Sequence, residues 1–179
     1  MTIRVLVADD QAMIRGALAG LLDLERDIEV VAQAADGAQA LDELARLASA
    51  DAPAHASAPV DVAIIDVEMP RMDGITATQA IRSRFPGVRV LIVTTFGRPG
   101  YLQRALDAGA TGFTVKDAPV ETLAEGVRTV AAGGRAIDQN LALEALATGS
   151  SPLTDREADV LREVEGGGTI ADIAHSLHL

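Results

Sequence analysis

Short, unbroken apolar runs alternate along this chain with longer stretches in which apolar residues recur every third or fourth position. The first pattern predicts buried strands and the second predicts amphipathic helices. The runs are Ile3–Ala8, Ile28–Ala34, Val62–Asp66, Val88–Thr94 and Thr111–Val115. They are rich in β-branched residues and too short for helices. Between and after them fall the helical stretches Ala12–Leu24, Ala38–Leu47, Ile75–Arg84, Pro99–Ala108 and Pro119–Ala132. The first of these places Ile14, Leu18, Leu21 and Leu22 on one side. Asp36 is positioned to cap the second, Pro99 opens the fourth and Gly109 ends it. The stretch Ala48–Pro59, rich in Ala, Ser and Pro and holding His55, reads as a long surface loop.

Strict alternation of strand and helix over residues 1–134 predicts parallel strands, right-handed crossovers and helices on both faces. The expected architecture is a flavodoxin-like five-stranded parallel sheet in the order 2-1-3-4-5, with its switch point between the first and third strands. Residues 135–152 read as a linker with a short helical pattern at Leu141–Ala147. Residues 153–179 read as a short all-α unit. Thr154 and Glu157 form a capping box there, and Leu153, Val160, Leu161 and Val164 form an apolar stripe. Gly166–Gly168 breaks that helix before a second, Ile170–Leu177.

Composition narrows this picture. Apolar residues make up 49% of the 179, but aromatic ones only 2%, so the core must be aliphatic. The formal net charge of −11 argues against non-specific binding to nucleic acid or anionic membranes. There is no cysteine, and no apolar run approaches the length of a membrane span. A soluble, cytoplasmic protein is expected. Of the 15 basic residues all but Lys116 are arginines, which suggests that position requires a compact ammonium.

Polar residues that interrupt the strand ends supply the candidate chemistry. Asp9 and Asp10 close the first strand, Asp66 the third, Thr94 the fourth, and Lys116 follows the fifth. In a parallel sheet these carboxyl ends meet in one crevice. Carboxylates crowded there raise one another's pKa values unless a cation lies between them. Hard oxygen ligands with open water positions suit Mg²⁺. A cation there would make Asp66 a competent nucleophile toward a phosphoryl group. Lys116 would add a second positive charge, and the Thr94 hydroxyl a hydrogen bond.

With these residues in place, positions 1–134 resemble the receiver domain of a two-component response regulator. The resemblance is carried by Asp9-Asp10, by Asp66 in Asp-Val-Glu-Met-Pro with Asp73-Gly74 behind it, by Thr94 and by Lys116. It implies that Asp66 accepts phosphate from a sensor histidine kinase. It implies that Asp9, Asp10, Asp66 and the backbone carbonyl of Glu68 hold Mg²⁺, that Thr94 and Lys116 contact the phosphoryl group, and that Phe113 is a switch aromatic coupled to Thr94. Asp117 stands where the family often has proline, a variant associated with its NarL/LuxR-type branch. Residues 153–177 resemble the beginning of a LuxR-type helix-turn-helix, and Thr95–Tyr101 is similar to regulators of the DesR group, linked to membrane-lipid desaturation.

The resemblance implies a transcription regulator that forms a phosphorylation-dependent homodimer and, as a full-length protein, binds promoter DNA. The groove-reading helix of that family falls after the position of Leu179, so specific operator binding is not expected of residues 1–179 alone. The helix carrying Met13, Ile14 and Ala17 is the expected kinase dock, with a place in the core as the alternative for Ile14. His175, His178 and His55 are expected to be idle. Two other classes compete with this reading. A stand-alone receiver would act as a phosphate sink. A Mg²⁺-dependent aspartyl phosphatase would need its nucleophile on the first strand, as Asp-x-Asp.

Overall fold

The computed structural model describes residues 2–50, 60–95, 99–138 and 141–142. The expectations for residues 51–59, 96–98 and 143–179, including the helix-turn-helix and the three histidines, lie outside the described residues. The strands are β1 (Ile3–Ala8), β2 (Ile28–Ala34), β3 (Val62–Ile65), β4 (Arg89–Thr94), β5 (Gly112–Val115) and β6 (Ala136–Ile137). The helices are α1 (Ala12–Leu22), α2 (Gly37–Ala50), α3 (Gly74–Arg84), α4 (Pro99–Asp107) and α5 (Val120–Ala131). All strand pairs are parallel, in the order β2-β1-β3-β4-β5-β6.

Side chains on a strand alternate between its two faces, and that period sorts the core into two layers. Leu6 and Ala8, Ala63 and Ile65, and Val90 and Ile92 face α2, α3 and α4, where Leu44, Ile81 and Leu102 meet them. Val5 and Val7, Val62 and Ile64, and Leu91 and Val93 face the other way, against Leu22 of α1 and Leu123 and Val127 of α5. With helices on both faces, each central strand must be apolar throughout. β3 is buried at every position. Phe113, 0% exposed, is the aromatic anchor of the first layer, and the rest of the named core is aliphatic.

The structure departs from the sequence reading most at the ends of α1, α2 and β3 and in one added strand. The first helix stops at Leu22 rather than Leu24, with Asp23 as its C-cap and the Asp23 carboxylate accepting a hydrogen bond from Val30 N at 2.8 Å. Leu24 is left 78% exposed. The second helix begins at Gly37 and continues to Ala50, into residues read as loop. Its last turn holds alanines, which favour helix, and the Ser49 hydroxyl donates to Ala45 O. β3 ends at Ile65, so Asp66 is the first residue beyond the ladder. Last, Ala136 and Ile137, within the segment read as linker, form a sixth strand opposite Gly112 and Phe113. Two residues are too few for an alternating pattern to be visible in a sequence.

Candidate acidic site at the carboxyl ends of the strands

The switch point of this sheet lies beside β1, whose neighbours are β2 and β3. Adjacent residues leaving an extended strand point opposite ways, so Asp9 and Asp10 differ in environment. Asp9 is 1% exposed, whereas Asp10 is exposed. The Asp9 Oδ1 accepts from Gln11 N at 2.8 Å, and Arg15 donates to the Asp9 carbonyl at 2.6 Å. These two contacts fix the turn into α1. Across the sheet, Asp66 N donates to Ala8 O at 2.9 Å, which brings the end of β3 level with Asp9.

Lys116 reaches this pair from the end of β5. Its Nζ donates to Asp66 Oδ2 at 2.8 Å and lies 2.7 Å from Asp9 Oδ2. The contact with Asp9 has the distance of an ion pair but not the angles of a hydrogen bond. Asp9 Oδ2 is therefore a buried oxygen without a hydrogen-bond partner, the only such side-chain atom among the described residues. Burial pushes the Asp66 carboxyl above its ordinary 3.8, with Lys116 opposing and Asp9 reinforcing the rise. Burial also works against the charge on Lys116, but its two carboxylate partners outweigh that and raise its pKa above the ordinary 10.5.

Oxygens of Asp9, Asp10 and Asp66 lie within 4.8 Å of one another. Three carboxylates and one ammonium carry a formal surplus of two negative charges, which a divalent cation would cancel. The buried Asp9 oxygen, held only by its ion pair with Lys116, and an all-oxygen donor set fit a hard cation. A cleft of about 300 Å³ opens beside them, lined by Asp10, Gln11, Asp66, Glu68, Thr94 and Thr95. That is roughly ten times the ~30 Å³ share of one water molecule, so a tetrahedral anion and several waters fit together.

The structure thus brings together Asp9, Asp10, Asp66 and Lys116 in direct contact or near it, with Glu68 and Thr94 on the cleft wall. Phe113 is not in the cleft. It pairs with Ile92, whereas Thr94 pairs with Val115, so the ring lies below the site in the α4-side core. Among the described residues no peptide is cis, the Lys116–Asp117 bond included.

The loop from Asp66 to Gly74 is closed tightly on itself. Gly74 N donates to Val67 O at 2.9 Å, and a Cβ on Gly74 would lie 1.9 Å from Asp66 O, so only glycine fits there. Asp73 caps α3, accepting from Ile75 N and Thr76 N, both at 2.9 Å. Burial opposes its charge, but the hydrogen bonds from Thr76 and Ile75 outweigh it and hold the carboxyl below its ordinary 3.8. Asp73→Ala is expected to lower stability by about 1 kcal/mol at neutral pH. Because the folded pKa is depressed, that deficit should be complete above pH 3.8 and vanish as pH falls through the folded value. Urea unfolding of both proteins at several pH values measures it; a deficit that persists at the acid end would contradict the cap.

Three contacts near the site carried no sequence signal. Tyr101 of α4 donates to Glu68 Oε1 at 2.9 Å. Arg15 holds the Asp9 carbonyl. Arg71 grips Asp36, which the sequence suggested only as a helix cap. Each joins residues whose partnership depends on loop geometry.

Known proteins resemble this chain in sequence and fold. The model of the response regulator receiver domain matches residues 5–128. The transcriptional regulatory protein DesR of Bacillus subtilis (strain 168) is 39% identical over 177 residues, covering 99% of this chain and 82% of DesR. The structure of the response regulator ChrA of a heme-sensing two-component system is 31% identical, with a TM-score of 0.62 over 99% of this chain and 82% of that one. The signal receiver domain of NarL from Mycobacterium tuberculosis is 34% identical, with a TM-score of 0.64 over 74% of this chain and 98% of that one.

Proposed function

Because this chain belongs to the response regulator receiver-domain family and is a response regulator controlling transcription, we propose that Asp66 is the residue at which its signal arrives, as a phosphoryl group from a sensor histidine kinase. The observation that carries this reading is the Lys116 ammonium held between the buried Asp66 and Asp9 carboxylates, with Asp10 beside them.

Asp9, Asp10, Asp66 and the Glu68 backbone carbonyl would hold Mg²⁺. When bound, Mg²⁺ offsets negative charge on the transferring oxygens. The rest of the work falls to the protein's own groups. Asp66 attacks phosphorus while the bond to the kinase imidazole breaks, which leaves an acyl phosphate. Lys116 lies against the attacking carboxylate and is placed to pair with the incoming oxygens. Thr94, at the cleft wall, offers a hydroxyl to the same group. The exposed Met13 begins a helix face on which Ile14 and Ala17 line a groove of about 220 Å³ that reaches Lys116. That face suits a kinase domain approaching the site.

The output is a two-state change. A covalent dianion beside Lys116 and Thr94 favours whichever packing brings them closest, and the equilibrium shifts by that difference. Phe113 is already enclosed, so the response at α4, β5 and α5 comes from repacking around the ring rather than from burying an exposed one. Homodimerisation through that surface, and through it binding of promoter DNA by the whole regulator, is the proposed consequence.

Incubation with acetyl phosphate and Mg²⁺, followed by intact-mass measurement, tests the reading. The expected result is a mass increase of one phosphoryl group per chain, lost when Mg²⁺ is chelated. Sustained hydrolysis of a stable phosphate ester without accumulation of the modified chain would favour a phosphatase instead.

A further inference from the structure

Among the described residues Arg71 is the one non-glycine residue with a left-handed backbone, at φ 63°. Residues with a side chain avoid that region, and it persists where surrounding contacts enforce it. Here the contact is visible. Arg71 Nε donates to Asp36 Oδ2 at 2.7 Å, and Nη2 pairs with the same oxygen. The partners differ sharply in burial, with the Arg71 side chain 69% exposed and that of Asp36 1% exposed. A surface cation thus reaches down to a carboxylate enclosed in the fold. Asp36 is fixed from its other side, because its Oδ1 accepts from Gln39 N at 2.9 Å and caps α2.

A second tie lies next to the first. Gly37 N donates to Met72 O at 3.1 Å. A Cβ on Gly37 would lie 2.7 Å from Ala77 Cβ and 2.9 Å from Met72 O, so the β2–α2 corner abuts the loop with no space between. The loop anchored in this way joins Asp66 to α3 and carries Glu68.

We propose that Arg71 is a positioning residue. By gripping Asp36 it sets the β3–α3 loop, and the Glu68 carbonyl on it, against the Asp9–Asp10–Asp66 pocket, and so determines how tightly that pocket holds a divalent cation. This rests on the cation-binding reading above. The physical reason is preorganisation: a loop locked before the ligand arrives loses no further freedom when it binds. Groups that orient ligand atoms without touching the metal commonly control its affinity.

Calorimetric titration of the unphosphorylated chain with Mg²⁺ tests this and also separates it from its premise. If the wild-type chain takes up no Mg²⁺, the cation reading itself fails. If it does, Arg71→Ala and Asp36→Asn are each expected to weaken binding about tenfold. The double variant should be no weaker than either, since both remove one contact. Arg71→Gly separates backbone from side chain. Glycine adopts positive φ freely, so this variant should melt no lower than Arg71→Ala yet bind as weakly. Arg128→Ala serves as the control. It breaks ion pairs to Glu25 and Asp27 at the opposite end of the sheet and should lower the melting temperature without changing affinity. Wild-type affinity in Arg71→Ala or in Arg71→Gly would overturn the proposal, as would an equal loss in Arg128→Ala.

Discussion

Asp66→Asn is expected to reduce phosphoryl incorporation from acetyl phosphate and Mg²⁺ from one group per chain to none. The substitution is nearly isosteric, so the loop, the Gly74 contact and the pairing of Lys116 with Asp9 can all remain. What disappears is the ionised oxygen proposed to attack phosphorus, which an amide cannot replace. The same variant should unfold at a temperature equal to or above that of the wild type. Burial raises the Asp66 pKa, so its ionised form at neutral pH is held at some expense to stability, absent only below the ordinary 3.8. Loss of incorporation with an unchanged or raised melting temperature would distinguish a chemical role from damage to the fold. Full incorporation in the variant would remove Asp66 from the mechanism.

Lys116→Ala should produce the largest loss of stability. The wild-type ammonium, 7% exposed, faces carboxylates that are 1% and 5% exposed. Without it two buried acids confront each other with no cation between them. Removing one member of a buried charge cluster is expected to lower stability by about 3–5 kcal/mol. For a chain of this size that corresponds to a fall in melting temperature of roughly 10 °C. Millimolar Mg²⁺ should restore part of the loss, because it supplies positive charge to the same oxygens. Combining Lys116→Ala with Asp66→Asn should recover part of it without metal. While its carboxylate partners are ionised, the Lys116 contribution should be intact from neutral pH up to 10.5 and disappear as pH rises through the raised folded value. Differential scanning calorimetry with and without Mg²⁺ is the measurement. A melting point within about 2 °C of wild type would show that Lys116 is not an electrostatic keystone.

The sheet was legible because β1, β3 and β4 have helices on both faces and must therefore be apolar at successive positions. For the same reason the site was legible. A carboxylate or lysine that ends such a run stands out, and parallel topology carries all the run ends to one side. The difference between Asp9 and Asp10 was also implicit in the alternation of extended backbone, although neighbouring acids look equivalent in a string of letters. Other features were not legible, for reasons that differ. β6 is too short to show a period. The extension of α2 to Ala50 rests on a composition that suits helix and loop alike. The depth of Phe113 depends on the register of β4 against β5, which no local pattern encodes. The Arg71–Asp36 contact joins residues 35 apart and needs a backbone angle that arginine rarely adopts.

β6 matters beyond its length. Asp138 N donates to Phe113 O at 3.2 Å, and Ile137 lies opposite Phe113 in the ladder. The strand that leads into Lys116 is therefore laced, along the edge away from β4, to the segment ending at Asp138. A sub-ångström slide of β5, pulled at its tip by the ammonium, would tow that segment with it. Such a slide would give the acidic pocket a mechanical lead as far as Ile137 and Asp138, alongside any rearrangement of the helical surface.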